Sequence, residues 1–98
     1  MTNATEETSW DTLSTAYEVE VILAHNHFQL AENGKWIHED YVQSIRLISE
    51  SELSGITIEL YQKGQTVLRF YAIKDSDLAV MVVESFLSIC KKLREEEE

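Results

Sequence analysis

With 98 residues, the chain has room for one domain and none for separate cofactor and substrate domains. A hydrophobic fraction of 44% and a charged fraction of 27% are ordinary for a globular protein. The formal charge of −10 repels a phosphate backbone and disfavours direct nucleic-acid binding, although much of it is terminal: from Trp10 to Arg94 there are twelve acids against eight bases.

The one cysteine, Cys90, excludes an intramolecular disulfide framework and, within an apolar helical pattern, reads as a small buried hydrophobe. The amino terminus, "MTNATEETSW", has no basic or apolar signal region, and no apolar run reaches membrane-spanning length. The expectation is a cytoplasmic protein without membrane association, in a single domain over 1–98.

In chain order, residues 1–8 read as a flexible arm, because like charges repel and nothing apolar is there to bury. Residues 9–16 read as a short helix with Ser9 as N-cap and Trp10, Leu13 and Tyr17 along one side. From Tyr17 the period changes: Tyr17, Val19, Val21 and Leu23 alternate with Glu18 and Glu20, the mark of a half-buried strand. The apolar phase then moves to Asn26, Phe28 and Leu30, which predicts a bulge near Ala24 to Asn26 in a long first strand.

Asn33-Gly34 predicts a two-residue hairpin loop, with Glu32 facing Lys35, Leu30 facing Ile37, Gln29 facing His38 and His27 facing Asp40. The second strand continues through "YVQSIRLI". "SESELSG" is a polar connection, "ITIELYQ" the third strand and "TVLRFYAI" the fourth. A three-residue loop, Lys63 to Gln65, sets Leu60 opposite Leu68, Ile58 opposite Phe70 and Glu59 opposite Arg69. Asp75 or Ser76 then caps a helix over 75–94 with a core stripe of Ala79, Val82, Val83, Phe86, Cys90 and Leu93, and 95–98 is an acidic tail. The fold class is α+β: a four-stranded antiparallel meander over 17–73 with a C-terminal helix packed on one face.

Two constellations carry functional expectations. If the bulge precedes His25, then His25, His27, His38 and Asp40 share one side of the first hairpin, a ligand set suited to zinc, with Glu39 or Glu32 nearby as a base for hydrolysis. The same positions are also the expected polar side of a half-buried sheet, which needs no metal. The paired carboxylates Glu39–Asp40 and Glu50/Glu52 mark no cleft, and no nucleophile motif is present.

The second constellation is surplus apolar surface on the C-terminal helix. Leu78, Val80, Met81 and Leu87 widen its stripe beyond what one sheet face covers, and Trp36, Tyr61 and Tyr71 fall on outward strand positions where aromatics serve as anchors. The N-terminal segment folding back is one cover for this surface; a second copy or a partner protein is the other. On the latter reading Leu87→Asp breaks an oligomer and leaves the fold intact.

The segment "TVLRFYAIKDSDLAVMVVESFL" is similar in rhythm to the last strand and helix of the small dimerising subunit of the KEOPS tRNA-modifying complex, through its Phe-x-Ala step and Ser-Phe-Leu run. The likeness covers under a quarter of the chain. Ala79 stands where that family has a helix arginine, and Asn33-Gly34 where it has a helix. The segment also resembles the closing strand and helix of pleckstrin-homology-type domains, which have more strands than are legible here. Neither likeness transfers a residue. The residues themselves favour a small, acidic, non-enzymatic protein-binding or adaptor domain acting as a homodimer or in a hetero-complex. A zinc-binding hydrolytic protein and an acidic inhibitor of a basic nucleic-acid-binding protein are the alternatives.

Overall fold

The computed structural model of the protein is an α+β fold: a five-stranded antiparallel sheet with an N-terminal and a C-terminal helix. It describes residues 4–49 and 55–97. The elements are α1 (Ala4–His25), β1 (Gln29–Leu30), β2 (Lys35–Ile37), β3 (Gln43–Ser49), β4 (Ile56–Gln62), β5 (Gln65–Ile73) and α2 (Ser76–Glu97). The strands lie in chain order, each antiparallel to the next. Most of the connection at 50–54 and the outermost terminal residues, with parts of the expected arm and acidic tail, lie outside the described residues; 4–8 open α1, and α2 continues through Glu97.

The expected long first strand is a helix. Val19 and Leu23 are inward in both readings, but α1 also buries Thr15 and Ala16 and half-buries Ile22. Positions 15, 16, 19, 22 and 23 form one stripe at the 3.6-residue period, whereas Tyr17 and Val21, inward in the strand reading, are 68% and 41% exposed. The predicted bulge is the end of this helix. Phe28 N–H donates to Leu23 O at 3.0 Å and His27 N–H to Ala24 O at 3.1 Å, with His27 at φ 70°. These are the two bonds and the left-handed residue of a Schellman cap, and the accompanying apolar contact is supplied by Leu23 and Phe28, both buried in the core.

The first hairpin is one residue out of the expected register. Gly34 N–H bonds Ala31 O at 3.0 Å and Ala31 N–H bonds Lys35 O at 2.8 Å, so three residues, Glu32 to Gly34, form the loop. Gln29 therefore pairs with Ile37 and Leu30 with Trp36. A tight turn followed by a glycine in the left-handed region satisfies Asn33-Gly34 as well as a two-residue loop does. The expected second strand is also two strands. The chain turns at His38–Tyr41, where Tyr41 N–H bonds His38 O at 3.2 Å, and β3 returns antiparallel to β2, with Lys35 opposite Arg46 and Trp36 opposite Ile45.

In the β4–β5 hairpin the pairs Leu60–Leu68, Glu59–Arg69 and Ile58–Phe70 are as expected, yet the loop has two residues, Lys63 and Gly64, with φ 52° and 84°. An extra residue between Thr66 and Leu68 restores the phase as a bulge. A second irregularity lies between Phe70 and Ile73, where Ala72 has φ 51°.

Asp75 caps α2: its carboxylate accepts from Asp77 N–H at 2.9 Å and its carbonyl from Ala79 N–H at 3.0 Å. Both helices contact the sheet and each other, and among the described residues the buried hydrophobic side chains other than Tyr61 form one cluster. Leu23, Ile45, Ile56, Ile58, Val19, Val83 and Cys90 are its largest fully buried members. Each large aliphatic side chain buried this way contributes about 1.5–3 kcal/mol.

Candidate functional site

The three histidines border one small depression between the end of α1 and the β2–β3 turn, together with Tyr41 and Leu87, but they reach it from different elements and not from one strand face. His25 lies in the last turn of α1, His27 caps it, and His38 and Asp40 belong to the β2–β3 turn. Replacing the first strand by a helix removes the shared strand face that was to align them. The His38 ring stacks on Tyr41 with centroids 4.3 Å apart and tilts against Phe28 at 5.1 Å, while its Nδ1 accepts from Asp40 N–H at 3.0 Å. Asp40 in turn lies 3.6 Å from the Arg94 guanidinium. His27, His38 and Asp40 also border a second, open depression, with Gln29 and Glu39. Among the described residues, no group of three or more His, Cys, Asp or Glu side chains is placed to hold a metal ion.

The expected interface residues divide. Leu78 and Met81 are exposed, at 42% and 56%, and so is Tyr71. Val80 and Trp36 are half-buried against the core. Leu87 and Tyr61 are buried. For Leu87 the cause is α1, which packs beside α2 and takes up helix surface that a lone helix over a sheet would leave open. Ile89, at 51% exposure, joins Leu78 and Met81 on the free side of α2.

Tyr61 is covered for a different reason, on the opposite face of the sheet. Alternation turns Ile45, Ile58 and Trp36 toward the helices, so Lys35, Arg46, Glu59 and Arg69 turn away from them. The register sets these four directly across β2, β3, β4 and β5: Lys35 opposite Arg46, Arg46 opposite Glu59, Glu59 opposite Arg69. They are the whole charge complement of the described strands, three bases and one acid. Arg69 Nε donates to Glu59 Oε2 at 2.5 Å and Tyr61 O–H to Glu59 Oε1 at 2.6 Å. The Lys35 ammonium lies 3.9 Å from the Tyr61 ring centroid, a cation–π contact that closes over Tyr61. Foremost the Tyr61 hydroxyl, then Arg69 and more remotely Arg46, hold the Glu59 carboxyl below its ordinary value, against the desolvation that pushes it up.

Sequence reasoning found the Glu59–Arg69 pair and missed the row. Arg46 and Lys35 join it through the β2–β3 turn, and the only local sign of that turn is "IHEDY", without glycine or proline.

Cys90 is fully buried, and burial pushes its thiol up to about 12, so it is a packing residue and no nucleophile. Among the described residues, no helix is long and apolar enough to cross a membrane. No family model, curated protein or solved structure matches the chain.

Proposed function

We propose that the protein is a small binding or adaptor domain whose partner is another polypeptide, either a second copy or a different chain. The observation that carries this reading is β5, a nine-residue strand at the edge of the sheet. No described strand pairs with its outer side, whose backbone N–H and C=O groups can take an added strand. Its side chains are also open to solvent: Val67 is 61% exposed, Leu68 49% and Tyr71 69%. Leu78 and Met81, in the first turns of α2, which follows β5 in the chain, are exposed apolar side chains as well.

The two irregularities limit how far a partner strand can follow β5. The regular stretch runs from Leu68 to Phe70, so pairing is short and the exposed side chains must supply much of the contact.

Sedimentation velocity over a wide concentration range tests the reading, on the native chain and on Leu68→Lys. Self-association that Leu68→Lys removes supports a homodimer through this edge. A monomer at every concentration eliminates the homodimer. Association unchanged by Leu68→Lys eliminates the edge.

A further inference from the structure

The outer face of the sheet carries a charge opposite to that of the chain. The whole sequence has a formal charge of −10, yet the row across β2 to β5 sets Lys35, Arg46 and Arg69 around one carboxylate, Glu59. Directly opposed side chains on neighbouring strands have Cβ atoms roughly 5 Å apart, and like charges at that distance destabilise a sheet. The one acid is already engaged: Oε2 takes Arg69 and Oε1 takes Tyr61. Lys35 rests on the Tyr61 ring. Arg46 is exposed and directly opposes both Lys35 and Glu59, and its guanidinium has no hydrogen bond or ion pair among the described residues.

A guanidinium held in this way has a planar set of donors suited to a carboxylate. We propose that this face docks an acidic segment of a partner polypeptide, whose carboxylates pair with Arg46 and Lys35 while Tyr71 packs against it. The inference rests on the reading of the protein as a binding domain and names the chemistry of its partner.

A polypeptide is the occupant, and a nucleic acid is not, for two reasons. The net negative charge of the whole chain opposes a long polyanion, while a segment with a few carboxylates meets the local field of the row, since screening removes most interactions beyond roughly 8 Å at physiological salt. Single-strand binders also stack successive bases on several aromatic rings. Here Tyr71 is exposed, but Lys35 already covers Tyr61.

The test is fluorescence anisotropy on the full chain with three labelled probes: a peptide alternating glutamate and valine, its glutamine counterpart, and an oligothymidine of equal length. The glutamate peptide is expected to bind, more weakly as salt rises, and the glutamine peptide is not. Arg46→Glu is expected to weaken glutamate-peptide binding by about tenfold or more, and Arg46→Lys by less. Circular dichroism and the thermal midpoint establish that both variants are folded, as expected for a substitution at an exposed position.

The proposal is overturned if the glutamate peptide does not bind, if both peptides bind equally, if folded Arg46→Glu binds as the native chain does, or if oligothymidine binds more tightly than the peptide. Leu68→Lys separates this result from the one above. No peptide binding alongside association through the β5 edge overturns the acidic partner alone; loss of both overturns the binding-domain reading as well.

Discussion

Arg69 Nε donates to Glu59 Oε2 at 2.5 Å across the β4–β5 pair, while the other carboxylate oxygen takes the Tyr61 hydroxyl at 2.6 Å. Two strong donors on one carboxylate, on a face that no described helix covers, make Glu59 the electrostatic centre of the sheet.

The native state therefore binds fewer protons at Glu59 than the unfolded chain does. Its contribution is fully present above the ordinary value of 4.5 and is lost as pH falls through the lower folded value. Glu59→Gln keeps an acceptor and removes the charge, at a cost of about 1–2 kcal/mol at neutral pH. Urea unfolding at pH 7 and near pH 3 is the check: the difference between native and variant should shrink at the lower pH.

His27 is exposed and holds φ 70° at the end of α1. A left-handed conformation costs a residue with a Cβ about 1–2 kcal/mol, partly offset in glycine by the freer unfolded chain. His27→Gly should stabilise the protein by about 0.5–1 kcal/mol, and His27→Val should destabilise it by more than that. Thermal midpoints of the three proteins measure both signs.

At Gly55 space is the constraint, together with a φ of 93°. A Cβ there would lie 2.4 Å from the carbonyl oxygen of Ile73 and 2.8 Å from the carbonyl carbon of Ala72, both backbone atoms that cannot swing aside. Gly55→Ala should cost on the order of 2–4 kcal/mol and disturb the end of the β4–β5 pair. Denaturant midpoints give the cost, and amide exchange at Ile56 and Ile73 gives its location.

Of the expected interface residues, Leu87 is 8% exposed and lies in the core, whereas Met81 is 56% exposed. Leu87→Asp puts a charge into the core and should unfold the chain or cost about 3 kcal/mol or more. Met81→Asp should change stability by less than about 0.5 kcal/mol. A Leu87→Asp protein with native stability would place that residue at the surface after all.

Two strands and the last helix were legible because their signals are local. Ile56, Ile58 and Leu60 alternate cleanly, and Ala79, Val83, Phe86 and Cys90 keep a helical period under an aspartate cap. Residues 9–16 are helical as expected, but the second half of α1 reads as a strand because Val19, Val21 and Leu23 fit a period of two over the few residues where Glu18 and Glu20 separate them. Ile22 was the contrary sign, since strict alternation requires a polar residue there. The β4–β5 register came out right from a wrong loop length, because the bulge after Thr66 compensates for the shorter turn. The basic row was not legible: it exists only once β2 and β3 fold back on each other, and no window along the chain contains Lys35, Arg46, Glu59 and Arg69 as neighbours.

The meander also has a kinetic consequence. Every strand pairs with its neighbour in sequence, whereas the hydrogen bond from Ser76 to Glu18, which ties α2 to α1, spans 58 positions. Loop-closure entropy grows with the length closed, by about 0.6 kcal/mol per doubling, so the sheet is expected to form before α1 docks on it. Truncating Ile58 should then slow folding, while truncating Val19 should leave the folding rate nearly unchanged and speed unfolding. On this order of events α1 is the last part of the native structure to assemble and the first to be lost.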